Sequence, residues 1–210
     1  SSATSTTVTG LTTGTAYDFR VTPFYTSTAL AITSATATAT TNVQATGSVT
    51  NLTATTSGAT FQVASTGATV LSATASSSGT ALTVTGPVSG VYTVSGATPG
   101  TVVDVSVSWT ANSGYAAPST STGSIRALAT ITLANLAQTY SGSALAATST
   151  TVPSGLAVSY TYTGTAGTTY ATSATAPTAV GSYTVQASVS DGTYTASATG
   201  TLVISKANQS

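Results

Sequence analysis

The sequence predicts an all-β protein made of tandem β-sandwiches, the first of which is incomplete. Apolar and polar residues alternate along short segments such as VDVSVSW (103–109) and YTVQASV (183–189), which is the period of half-buried strands. A motif at residues 11–21 recurs at residues 97–107, and this spacing suits one small sandwich per repeat. No segment sustains the apolar period of a helix.

The composition excludes several classes of protein. Of the 210 residues, 40% are hydrophobic, so a core can form, but only 3% are charged, against roughly 25% in an average protein. A formal net charge of zero gives no electrostatic reason to bind nucleic acid. No apolar run is long enough to cross a bilayer. We therefore expect neither nucleic-acid binding nor membrane insertion.

Met, Cys and His do not occur in the chain. Because translation starts with Met, we expect a processed product or a piece of something longer. A Cys-free, β-rich chain fits an exported bacterial protein. So few charges leave little colloidal repulsion. These features favour an extracellular or cell-surface protein, which assembles or is coated.

The first element is the stretch LTTGTAYDFRV at residues 11–21. Its Leu11, Gly14 and Tyr17 resemble the tyrosine corner of fibronectin type III domains, Leu-x-Pro-Gly-x-x-Tyr, without the Pro. The resemblance implies that Gly14 allows the bend. It also implies that Tyr17 packs its ring inside and bonds the backbone with its hydroxyl.

The second copy of this corner keeps Pro99 and Gly100 but has Val103 in place of the Tyr. Five predicted strands lie upstream of it, and one follows it: SVTNLTATT (48–56), ATFQVAS (59–65), ATVLSATA (68–75), TALTVTG, VYTVSG and a last strand near 119–126. Phe61 is the nearest candidate for the usual strand B Trp. We therefore predict a fibronectin III-like sandwich at residues 43–127.

The first module has fewer strands. Residues 1–42 contain only those that correspond to E, F and G: TSTTVTGL (4–11), the corner strand, and AITSATATATT (31–41). They form a partial fibronectin III-like domain. Its apolar face has nothing in this chain to cover it, and we predict that it is an interface made by Leu11, Tyr17, Phe19 and Val21.

The pattern changes near residue 128. Four motifs follow: Tyr140-Ser-Gly142, Pro153-Ser-Gly155-Leu156, Pro177-Thr-Ala-Val-Gly181-Ser-Tyr183-Thr-Val185 and Leu202-Val-Ile204. They resemble the bacterial MBG repeat of large surface proteins, with Ser141 in place of the usual Asp. The resemblance implies an Ig-like sandwich at 128–206, with 207–210 as the start of a next module or a tail. We expect a weak point in the backbone near Ala127–Ala129.

The chain offers little for catalysis, and we predict that it is not an enzyme. Ser and Thr nucleophiles need an activating base, and there is no His. Asp18, Asp104 and Asp191 fall in three separate modules, so no carboxylate pair for sugar hydrolysis can form. Zinc and calcium sites lack their ligands. We expect no metal and no cofactor.

Several residues keep both a functional and a structural interpretation. Asp18 and Arg20 share a strand face, as an interface ion pair or a solvated surface pair. Asp191-Gly192 signals a hairpin turn. Lys206 could form an isopeptide bond, and Asn51-Leu-Thr53 fits a glycosylation acceptor. Six tyrosines could form a carbohydrate-stacking platform or a core: Tyr140, Tyr160, Tyr162, Tyr170, Tyr183 and Tyr194.

These observations predict a structural subunit or module array of a bacterial extracellular fibre or surface appendage. Its partners would be copies of itself in a polymer, or tandem modules of a longer chain, with glycans left open. Head-to-tail sandwich contacts would assemble it, with strands of a neighbouring chain completing the partial domain. The alternative is the stalk of a surface adhesin or of a secreted carbohydrate-active protein.

Overall fold

A computed structural model describes residues 6–21 and 35–207 of the chain. Within these ranges the regular elements are all β-strands, which confirms the predicted all-β class. Among the residues described, none lies in a helix with the length and apolarity needed to span a membrane. Parts of two predicted strands, residues 4–5 and 31–34, lie outside the described residues.

The N-terminal region forms a two-stranded ribbon. Strands β1 (Ala16–Val21) and β2 (Ala35–Thr40) pair antiparallel. Residues 6–15 form turn and irregular structure, so the described part of the predicted strand E is not a strand. Two short strands form a separate pair: β3 (Val43–Gln44) pairs parallel with β10 (Tyr115–Ala116).

The middle region contains seven strands that form one hydrogen-bonded series. In chain order they are β4 (Thr46–Thr55), β5 (Gly58–Thr66), β6 (Ala68–Ser77), β7 (Thr80–Val88), β8 (Val91–Ser95), β9 (Val102–Ala111) and β11 (Ser121–Arg126). The series runs β11-β9-β6-β7-β8-β5-β4. Strand β7 pairs with β6 only through its first three residues and with β8 through the rest. It therefore passes from one sheet layer to the other.

Turn chemistry explains why these strands follow each other so closely. Ser78-Gly79 and Ser89-Gly90 both combine φ near +50° with φ of +80°, which is the backbone of a two-residue type I′ hairpin. The core of the region includes Phe61, which is fully buried and stacks on Tyr92 with ring centroids 5.0 Å apart. Phe61 thus holds the core position predicted for it.

The C-terminal region is a second sandwich. Strands β12 (Thr130–Ala134) and β14 (Thr148–Val152) form one sheet. The other sheet has the order β13 (Ala137–Thr139), β17 (Thr195–Ser205), β16 (Gly181–Ser190) and β15 (Ser159–Thr165). Strand β12 lies against β17 and β16. A core fills the space between them: Ala147, Tyr162, Tyr183, Val185, Leu202 and Ile204.

The described chain forms two compact units, and each is built from separate stretches of sequence. The first comprises the described residues up to Thr50 together with 63–73 and 106–122. The second comprises 51–62, 74–105 and the described residues from Gly123 onward. The module boundaries predicted at 43 and 128 stay predictions.

Candidate functional site

The β1–β2 ribbon has one apolar face. Directly opposed residues in paired strands lie on the same face, and the register pairs Tyr17 with Ala39 and Phe19 with Ala37. Val21, at the end of the ribbon, pairs with Ala35. The three alanines are exposed, Tyr17 and Phe19 are half-buried, and Val21 is 66% exposed. Most of this face is therefore open to solvent within the single chain.

The opposite face of the ribbon is polar. Asp18 pairs with Thr38 and accepts a hydrogen bond of 2.5 Å from its hydroxyl. Arg20 pairs with Thr36. The sequence prediction that Asp18 and Arg20 share a face opposite Tyr17 and Phe19 agrees with this register. From residue 35 to residue 39, the alanines of β2 lie opposite the apolar residues of β1 and the threonines lie opposite its charged residues.

A tyrosine corner leads into β1. The Thr12 N–H donates a 2.7 Å hydrogen bond to the Tyr17 hydroxyl, which is the backbone bond that the fibronectin III resemblance implied. Hydrogen bonding by Thr12 lowers the pKa of Tyr17 from its ordinary value. Thr41, just after β2, donates to the Thr12 carbonyl (2.7 Å), and its carbonyl accepts from Gly14 (2.9 Å). The end of the ribbon at which Ala16 pairs with Thr40 is thereby tied to the corner.

The corner recurs in two other places, with different chemistry. Val103, which replaces the Tyr in the second copy, is fully buried. In the C-terminal sandwich, Tyr183 donates from its hydroxyl to the Ala179 carbonyl (2.8 Å) and packs edge-on against Tyr170 at 5.4 Å. Burial raises the pKa of Tyr183. Sequence reasoning missed this corner, although Gly181 two residues before the Tyr was a signal.

The tyrosines of the C-terminal region are mostly part of its core. Tyr162 is buried and its hydroxyl accepts from the Ala147 N–H (3.2 Å). Tyr160 lies partly buried with its hydroxyl 2.6 Å from that of Ser149. Among the six candidates, all of which lie in the described part of the chain, only Tyr140 is in the exposed class, at 45%. These residues do not form an exposed stacking row.

Three other candidates have local structural partners or exposed positions. Asp191 accepts from the backbone N–H groups of Thr193 (2.9 Å) and Tyr194 (2.7 Å), so it closes the β16–β17 turn, and these bonds lower its pKa. Asn51 donates from its side-chain amide to Gln62. Lys206 is exposed and lines an open cleft with Tyr140.

The linker between β11 and β12 differs from the prediction. Ala127 and Ala129 are only 1% and 3% exposed, and the N–H groups of Ala127 and Leu128 donate to backbone carbonyls. The weak point expected near Ala127–Ala129 is therefore wrong, because this backbone is buried and hydrogen-bonded. Arg126, which sequence reasoning did not single out, lies beside it.

No cluster of three or more metal-ligating side chains occurs within residues 6–21 and 35–207. The carboxylates of Asp18 and Asp191 each accept hydrogen bonds from their own strand pair or turn. In the described part of the chain, the ribbon therefore presents an apolar face, a polar face, and one edge on each strand that is not paired with another strand.

Comparison with known proteins identifies one region. Residues 129–208 match the family model of the MBG domain, which supports an extracellular, surface-type Ig-like repeat in this part of the chain, as the motifs predicted. No curated protein matches the chain. The fibronectin III-like assignment of the earlier residues stays a prediction.

One solved structure that is similar is the full ectodomain (Ig1–Ig3) of mouse nectin-like molecule 4. The identity is 12%, the match covers 80% of this chain, and the TM-score is 0.23. The chain spans 66% of that ectodomain, just under two thirds. At this TM-score the likeness carries no argument about function.

Proposed function

We propose that the chain is a structural subunit of a bacterial extracellular fibre or surface appendage, in which a second copy covers the apolar face of the β1–β2 ribbon. The observation that carries this proposal is the one-sided ribbon: aromatic and aliphatic side chains on one face, hydroxyls and charges on the other. The MBG match at residues 129–208 supports the extracellular setting.

A two-stranded ribbon is marginal in water unless its apolar face is buried. Here the exposed Ala35, Ala37 and Ala39 lie opposite the larger Val21, Phe19 and Tyr17. Small residues on one strand and large ones on the other suit a facing sheet whose side chains pack over the alanines. Covering this face would supply the core that the ribbon lacks.

Strand addition can provide that cover. Within the described residues, β1 and β2 pair only with each other, so each has an edge that can accept a strand from another chain. A contact between the ribbon of one copy and a different surface of the next is heterologous, and such contacts extend into a fibre when they do not close.

The alternative is the stalk of an adhesin or of a secreted carbohydrate-active protein, in which another module of the same polypeptide covers the ribbon. Tyr140, exposed beside Lys206, is the observation that favours a surface able to contact a ligand. A stalk would remain monomeric at concentrations where a fibre subunit assembles.

Two neighbouring substitutions distinguish these functions. Ala37→Asp places a charge on the apolar face, and Thr36→Asp places the same charge one residue away on the polar face. Both positions are exposed in the single chain, so neither change removes a buried contact. An unpaired charge buried in an interface costs about 3–5 kcal/mol, which corresponds to more than a hundredfold in association constant.

The measurement is sedimentation velocity across a concentration series, with electron microscopy of the largest species. We expect the wild type and Thr36→Asp to assemble, and Ala37→Asp to remain monomeric. Equal assembly of both variants would show that the ribbon face is not the contact. A wild type that stays monomeric throughout would favour the stalk.

A further inference from the structure

Backbone hydrogen bonds hold the linker between β11 and β12 in place. The Gly100 N–H donates to the Ala127 carbonyl (3.1 Å), and the Ala127 N–H donates to the Thr101 carbonyl (2.8 Å). The Leu128 N–H donates to the Thr55 carbonyl (2.9 Å). A hinge needs residues that can change φ and ψ. Rotation here would first have to break these bonds.

Four residues lie around the linker, and we name them the junction cluster: Gly100, Arg126, Pro153 and Tyr194. Gly100 belongs to the second corner, and Pro153 follows β14. A Cβ built on Gly100 would lie 2.3 Å from Pro153 Cδ and 3.1 Å from Tyr194 Cε1. The corner and the C-terminal sandwich therefore approach too closely for any side chain at residue 100.

Arg126 joins the two sides of the cluster. Its Nη1 donates to the Gly100 carbonyl (2.8 Å), and its Cζ lies 5.2 Å from the centroid of the Tyr194 ring. A guanidinium can hydrogen-bond at its edge while its face rests on an aromatic ring. One side chain thus contacts the corner and the β16–β17 turn at the same time.

We propose that the junction cluster locks the C-terminal sandwich onto the corner at residues 97–101, so that this junction is a rigid joint and not a hinge. Arg126 is the positioning residue, because it holds the Gly100 carbonyl, and the Tyr194 ring is the surface on which its guanidinium rests. The proposal goes beyond the proposed function. It holds for a fibre or a stalk, because both need a fixed orientation between neighbouring modules and must transmit pulling force along the chain.

Limited proteolysis with trypsin tests the proposal. Trypsin cleaves after Lys or Arg, and the sequence contains only three such residues, Arg20, Arg126 and Lys206. The Lys206–Ala207 bond is exposed and follows the last strand, so it serves as the reference within each molecule. The Arg126–Ala127 bond lies in the locked linker. In the wild type we expect cleavage after Arg126 to be at least about tenfold slower than cleavage after Lys206, since it requires local opening.

Two substitutions at Tyr194 then distinguish the effect of the aromatic ring from the effect of side-chain size. Tyr194→Leu removes the ring that faces Arg126, whereas Tyr194→Phe keeps it. Tyr194→Phe is therefore the matched control. We expect Tyr194→Leu to raise cleavage after Arg126 about tenfold relative to cleavage after Lys206, with Tyr194→Phe at the wild-type ratio. Fragment masses identify each cut.

A second measurement does not depend on any variant. In the full-length wild type, ¹⁵N relaxation should give one rotational correlation time for the amides of β8 and β9 and for those of β16 and β17. Two different correlation times in the wild type would overturn the proposal. Equal cleavage after Arg126 in Tyr194→Leu and wild type would overturn the role of the Arg126–Tyr194 contact. If Tyr194→Leu loses its folded spectrum, the wild-type relaxation data and Tyr194→Phe decide.

Discussion

The contact between Gly47 and Trp109 predicts a large steric effect from a single methyl group. Gly47 lies in β4, and a Cβ built on it would be 2.3 Å from Trp109 Cε2 and 2.6 Å from Cζ2. Its φ lies outside the left-handed region, so alanine introduces no backbone strain. Trp109 is only 7% exposed, and its rigid ring cannot turn aside as a flexible side chain could.

The same ring is held by a hydrogen-bonded chain. Trp109 Nε1 donates to Ser121 Oγ (3.0 Å), and Ser121 donates to the Gly47 carbonyl (2.7 Å). Moving the ring away from a new Cβ would stretch these bonds. Overpacking costs about 1–3 kcal/mol, and weakening the two hydrogen bonds together costs about 1 kcal/mol. For Gly47→Ala we therefore expect the free energy of unfolding to fall by about 2–4 kcal/mol.

Trp109 is the only tryptophan, so its fluorescence reports unfolding of this region in a denaturant titration. Ser48→Ala, at the next residue and exposed, is the control and should change stability by less than about 0.5 kcal/mol. The decisive test is a double-mutant cycle with Trp109→Phe, followed by circular dichroism, because the smaller ring leaves room for the methyl group. A cost of Gly47→Ala that is the same in both backgrounds would refute the reasoning, since contacting residues should not be additive.

Three further predictions concern the tyrosines and the β16–β17 turn. Tyr183→Phe removes the hydrogen bond to Ala179 and should destabilise the C-terminal sandwich by about 0.5–1.5 kcal/mol; an unchanged denaturation midpoint would contradict this. Burial raises the pKa of Tyr162 and Tyr183, so their contribution to stability is fully present below the unfolded pKa of about 10 and is lost as pH rises through the folded pKa. Thermal melts from pH 8 to 12 should show this loss, and Tyr183→Phe should reduce it. Asp191 has the opposite sign, because its lowered pKa contributes stability above the unfolded pKa of about 4 that is lost as pH falls; Asp191→Asn should flatten the acid limb of the same series.

Strand interiors could be predicted from the sequence because burial there follows from alternation alone. In β9, Val103, Val105, Val107 and Trp109 are all buried while the residues between them are not, as the period of two requires. The same holds for Tyr183 to Val189 in β16. The Asp191-Gly192 turn could also be predicted, since its backbone bonds are local.

The features that matter most for the proposals depend on pairing between distant segments. The TATATT run looks like an ordinary polar edge until the register with β1 places its alanines opposite Tyr17 and Phe19. Neither Gly47 beside Trp109 nor Arg126 over Tyr194 has a local signature. The predicted strand E was wrong in its described part: residues 6–11 directly precede the corner, but the described part of the chain gives them no neighbouring strand to pair with.

Three of the few charged residues have structural roles within the chain. Asp18 joins the two ribbon strands through Thr38, Asp191 closes a turn, and Arg126 bridges the junction cluster. These three charged groups each hold neighbouring backbone segments together. In the proposed assembly, attraction between copies would then come mainly from apolar faces and backbone edges, whose strength changes little with ionic strength. An extracellular assembly built in this way would keep its contacts across changes of salt that weaken surface ion pairs. That is the physical advantage of an apolar ribbon face over a charged one.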